Sequence, residues 1–131
     1  MSHIEHRLCL AGLALFFLAL LQGFAIPVFE RVDVARGAHA AALGSGTFLI
    51  AVGLLWPKLS FGRLAAVWAA LLAVSLFAIA AGLMLSATYP AGTEAIHRVA
   101  SVLAAVLTMS GSLALVVSLA AVMFACKPST T

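Results

Sequence analysis

The chain has 131 residues, of which 65% are hydrophobic and only 8% charged. A soluble domain carries roughly 25% charged residues, so this chain cannot clothe a water-facing surface, and an integral membrane protein is expected. The net charge of +3 is small and dispersed. No basic cluster or aromatic ladder follows a phosphate backbone, which argues against nucleic acid binding.

Four apolar segments have spanning length, about 20 residues each. The first is Leu8–Phe29, longer than the apolar core of a secretory signal, about 7–15 residues, so it is predicted to be a retained helix. A charged loop follows Pro27 and holds Glu30, Arg31, Asp33 and Arg36. The second segment is Gly37–Trp56, with Asp33 placed to cap it and Pro57 placed to stop it. After the loop Pro57-Lys58-Leu59-Ser60-Phe61-Gly62-Arg63 comes the third, Leu64–Ala87, stopped by Pro90. The fourth is Val99–Ala125, with Thr93 as its expected cap and Glu94 and Arg98 four apart as a first-turn pair. In lipid every backbone donor and acceptor needs an internal partner, and a helix supplies these within one segment. Short loops make consecutive helices antiparallel neighbours. The expected fold is one all-α domain over the whole chain, an antiparallel up-down-up-down four-helix membrane bundle.

The basic residues set the orientation. With the N-terminus inside, Arg7, Lys58, Arg63 and Lys127 lie inside, and Arg31, Arg36 and Arg98 outside. Both termini are then cytoplasmic, as in a bacterial inner membrane. Trp56 and Trp68 fall at similar inner depths, as an aromatic belt would. The two cysteines, Cys9 and Cys126, stand at opposite ends with no CxxC spacing and read as free thiols.

Chemistry in such a chain depends on its few polar residues within the spans. His39 opens the second segment, in His39-Ala40-Ala41-Ala42-Leu43-Gly44-Ser45-Gly46. An ionisable side chain in a bilayer needs a partner or a function, and imidazole is the commonest metal ligand. His39 also lies close enough to the surface to reach headgroups or water, so an interfacial histidine is the competing reading. Gln22 on the first helix and Met84 on the third share its depth, with Tyr89 nearby. No carboxylate lies within the spans, which leaves no pair for acid–base work. Zinc wants three or four ligands, whereas haem needs one axial histidine. The small pairs Ala40/Gly44 and Ala41/Ser45 let backbones approach closely. Ser101, Ala105, Thr108 and Ser112 share a face of the fourth helix, either as packing residues or as the lining of a ligand cavity.

The stretch Ala38-His39-Ala40-Ala41-Ala42-Leu43-Gly44-Ser45-Gly46, with Pro57-Lys58-Leu59-Ser60-Phe61 after it, resembles the second-helix region of a family of small membrane isomerases. These are the styrene oxide isomerases and hydroxylaminobenzene mutases. Gly23-Phe24-Ala25-Ile26-Pro27-Val28-Phe29 and Leu54-Leu55-Trp56-Pro57 look closest to the mutases. The resemblance implies four membrane helices, haem b with His39 as its axial ligand, and a homo-oligomer, a trimer. It also marks departures. Ser45 stands where the isomerases have an asparagine, and Met84 where an ungapped reading places a tyrosine. Serine keeps a hydroxyl, but methionine donates no hydrogen bond.

The leading expectation is therefore a haem b-dependent isomerase of a small apolar aromatic epoxide or hydroxylamine. His39 holds the metal, and Ser45 and Gln22 position the substrate. Six residues of helix turn Ser45 about 120° from His39, so Ser45 would serve the haem of a neighbouring copy. Two alternatives stand beside it. One is a non-catalytic haem or electron-transfer protein with Met84 as second axial ligand. The other is a cofactor-free structural membrane protein.

Overall fold

The computed structural model describes residues 3–59, 61–89 and 95–125. It contains four long helices: α1 (His3–Ala25), α2 (Val32–Leu55), α3 (Ala65–Thr88) and α4 (Ala95–Ala125). All four are long and apolar enough to cross a membrane, and no strand occurs among the described residues.

The helix ends follow from local chemistry. Pro27 has no N–H to donate, so the chain tightens after Ala25 into a 3-10 turn, Ile26–Val28. Pro57 sits in a second such turn, Trp56–Lys58, directly after α2. A third, Gly62–Leu64, leads into α3, and Gly62 takes φ +57, a left-handed conformation natural to glycine. Two expectations about ends change. α2 begins five residues before Gly37, and Asp33 lies inside its first turn rather than capping it. Arg31 occupies the cap position without a side-chain bond. Asp33 is still well placed, because a carboxylate favours the positive end of the helix dipole. The expected Thr93 cap, the Glu94–Arg98 pair and the Pro90 stop involve positions outside the described residues.

Facing residues give the register. Gly12 meets Gly46, Cys9 meets Gly53, and Gly23 meets His39, so α1 and α2 run antiparallel. Gly82 lies beside Ala104 and Thr108, and Gly111 beside Ser75 and Ile79, so α3 and α4 do too. α2 occupies the middle, flanked by α1 and α3, and α1 touches α3 less extensively. The backbone of α4 approaches α3 and no other helix among the described residues. One backbone bond, Arg31 N–H to Ala87 O at 3.4 Å, ties the first loop to the end of α3.

The core is built from small side chains. Ala19, Ala35, Ala38, Ala42, Ala80, Ala87 and Ala104 are buried, while Phe17, Phe24, Leu13, Leu113 and Phe124 face outward. Water would drive the opposite arrangement. In lipid no hydrophobic force separates Leu from its surroundings, and small residues win the interior because they allow close packing. Leu8, Leu15, Leu49, Leu72, Leu76 and Trp56 fill the remaining space. Trp56 is therefore not a belt residue: it is buried and stacks on Phe61, with ring centroids 4.6 Å apart.

Candidate functional site

The α1–α2 contact positions the polar residues. Small residues line both helices along this seam, and the backbones close on each other at Gly12 and Gly46. A Cβ on Gly12 would lie 2.6 Å from Gly46 O, so only glycine permits the approach. That proximity brings two side chains within reach of the opposite backbone.

His39, on α2, sets Nδ1 2.8 Å from Ala19 O on α1. A carbonyl oxygen only accepts, so Nδ1 carries the hydrogen and donates. Nε2 is then the nitrogen with the free lone pair. Gln22, on α1, returns the contact, its Nε2 donating to Ala35 O on α2 at 3.3 Å. The two bonds form a reciprocal clasp, each side chain using the second lone pair of a helical carbonyl. Beneath the imidazole lies Gly23, where a Cβ would sit 2.9 Å from His39 Cε1. The ring is half-buried and held on one edge.

The other predicted residues divide. Gln22 and Met84 line one cavity of about 430 Å³, whose walls also include Leu15, Ala42, Phe77 and Ala80. His39 is not among its lining residues, so within one chain His39 and Met84 share no cavity. Ser45 is half-buried and does not line it either. Its place on α2 is rotated about 120° from His39, and the structure does not bring the two together. Tyr89 ends α3, edge-on to His97 with centroids 6.2 Å apart. On α4, Ser101, Thr108 and Ser112 bond to carbonyls of their own helix at 2.9, 2.8 and 2.7 Å, and Ala105 is exposed. That face serves helix geometry and packing, and it does not line the cavity. Among the described residues no three His, Cys, Asp or Glu side chains converge. What sequence reading missed is the contribution of Gly23, Phe77 and Ala80. None carries a polar signal: Gly23 and Ala80 matter through the room they leave, and Phe77 through the wall it gives the cavity.

The family model for styrene oxide isomerase matches residues 4–127. The chain belongs to that family. Hydroxylaminobenzene mutase HabB of Ectopseudomonas oleovorans is 42% identical over 59 residues, covering 45% of this chain and 36% of that protein. Hydroxylaminobenzene mutase HabA of the same organism is 34% identical over 87 residues, 64% of this chain and 63% of that one. The chain thus spans about a third of the length of HabB and just under two thirds of HabA. No solved structure matches. The helix bearing His39, and all but the first residue of the helix that accepts its Nδ1–H, lie inside the matched region.

Proposed function

We propose that this protein is a haem b-dependent membrane isomerase acting on a small apolar aromatic epoxide or hydroxylamine. The observation that carries the reading is the fixed tautomer of His39. Histidines that ligate metals commonly donate their other N–H to a carbonyl, which orients the ring and raises ligand basicity. The Ala19 carbonyl does this for Nδ1, leaving Nε2 as the donor atom. Gly23 makes room for the ring itself, since a Cβ there would sit 2.9 Å from His39 Cε1. The residues present therefore fit a single-histidine haem site, and His39 is the residue that would hold it. When bound, the iron supplies a Lewis acid for the substrate oxygen, so rearrangement needs no net redox change.

The chain's own residues supply the rest. The α1–α2 clasp holds the imidazole in one orientation. Gln22 positions the substrate from a cavity lined by apolar groups, and such a substrate already partitions into the bilayer. Ser45 faces away from His39 and acts on the haem site of a neighbouring copy. That arrangement requires a homo-oligomer, for which the family resemblance implies a trimer. The exposed face of α2 suits such a contact, because Gly37 and Gly44 there have nothing within 4 Å. The protein sits in a bacterial inner membrane with both termini cytoplasmic.

A visible spectrum of purified protein tests the reading. Wild type should show a Soret band with an open or water-bound ferric site. His39→Ala should lose the band and any isomerase activity while staying in the membrane, since helix α2 keeps its backbone bonds and apolar area. His97→Ala should keep both. A full Soret band in His39→Ala overturns the assignment. A six-coordinate low-spin wild type would favour the electron-transfer alternative, and no band at all the structural one.

A further inference from the structure

The cavity between α1 and α3 contains one polar side chain, Gln22, which is 6% exposed. Its amide orientation is set, because Ala35 O can only accept and must face the NH₂ end, to which one of the two N–H groups donates. The carboxamide oxygen Oε1 therefore points the other way, and it has no hydrogen-bond partner among the described residues. Among the described residues no buried side-chain oxygen or nitrogen is both occluded and unpartnered, so Oε1 is open to the cavity that Gln22 lines. An acceptor facing an apolar space in lipid is costly unless something donates to it.

We infer that Gln22 is a specificity-determining residue: its Oε1 accepts a hydrogen bond from an N–H or O–H on a small aromatic molecule held in the α1–α3 cavity. The volume, about 430 Å³, lies within the usual range for small-ligand sites. Phe77 and Met84 offer an aromatic and a thioether wall, both suited to an aromatic ring. A second hollow, of about 340 Å³, shares Ala25 with this cavity and is lined by Val28, Phe29, Glu30 and Thr88. The polarity of the site discriminates between chemistries. An arylhydroxylamine carries N–H and O–H donors for Oε1, whereas an epoxide carries only an acceptor and gains nothing from that oxygen. Oε1 therefore favours the hydroxylamine class. That last step rests on the isomerase reading above, while the binding step does not.

The test separates the two. Full-length protein in lipid nanodiscs is titrated with 4-fluorophenol, which has a donor, and 4-fluorotoluene, which replaces it with methyl. Binding is read by fluorine NMR against empty nanodiscs. Gln22→Met should weaken 4-fluorophenol by about two- to tenfold, the range of one hydrogen bond, and leave 4-fluorotoluene unchanged or tighter. Ala81→Trp, at an exposed residue on the cavity wall, should abolish binding of both. Equal weakening of both probes in Gln22→Met, or full binding in Ala81→Trp, overturns the proposal. If Gln22→Met does not fold, Ala81→Trp and the wild-type titration decide. Wild type that binds neither probe above empty nanodiscs also overturns it. Haem-loaded wild type is then given phenylhydroxylamine and styrene oxide separately. Preference for the epoxide refutes the selectivity while leaving an isomerase. Turnover of neither, with the binding pattern intact, refutes the isomerase and leaves the donor-binding cavity standing.

Discussion

At the Gly12–Gly46 contact the effect of a single methyl group can be worked from backbone distances alone. In Gly12→Ala the new Cβ starts 2.6 Å from Gly46 O and 2.8 Å from Ile50 N, whereas ordinary contact begins at 3.4 Å. Both neighbours are backbone, so no flexible side chain can swing aside. The helices must part locally by about 0.8 Å, the difference between 3.4 and 2.6 Å. Overpacking of this kind costs about 1–3 kcal/mol. Alanine returns roughly 0.5–1 kcal/mol through helix propensity, leaving a net loss of about 0–2.5 kcal/mol. If the separation propagates along the seam, His39 Nδ1 to Ala19 O grows from 2.8 to about 3.6 Å, outside hydrogen-bond range. Reversible unfolding in mixed micelles, followed by circular dichroism, measures the loss. Gly46→Ala should behave alike, since its Cβ would lie 2.8 Å from Gly12 O. The double variant should cost less than the sum, because one separation relieves both clashes. Additive costs, or a Gly12→Ala protein more stable than wild type, would refute the close-contact account of this seam.

Two further outcomes follow from the same geometry. Gly44→Leu, in open space on the outer face of α2, should change monomer stability by less than about 0.5 kcal/mol yet break the proposed homo-oligomer. An unchanged native mass in detergent would move the interface elsewhere. Reporter fusions at Lys127 should read cytoplasmic, from four basic residues on the inner side against three outside, and a periplasmic signal reverses the topology.

The helices were legible in the sequence because lipid demands long uninterrupted apolar runs, and proline and charge punctuate them. The ends were less so. Asp33 looked like a cap because its side chain suits one, but the loop closes at Arg31, where the backbone bonds to Ala87 across the bundle. No local pattern encodes that partner. The depth of Gln22, His39 and Met84 was readable from rise per residue. Their directions were not. Gln22 needed a partner, and its partner is the backbone of α2 rather than the imidazole at the same level. Trp56 shows the same limit. Its depth suited a belt, but its azimuth turns it into the core against Phe61. Small residues were the hardest to weigh, since glycine and alanine reveal where helices touch but not which helix they meet.

The departures from the family pattern acquire a direction once the cavity is known. By the resemblance, Met84 stands where the isomerases have a tyrosine, a residue whose hydroxyl donates. Methionine removes that donor from α3. Met84 nevertheless lines the same cavity as Gln22, which approaches from α1. Gln22 spends one of its two amide N–H groups on Ala35 O. Its Oε1 adds an acceptor. A site that loses a donor and presents an acceptor disfavours a ligand whose only polar group is an ether oxygen. It favours one that brings its own hydrogens. The substitution on α3 and the clasp on α1 thus act in the same sense, although nothing in their spacing links them. In this chain, fixing the helix seam through Ala35 also fixes the polarity that the cavity shows to its ligand.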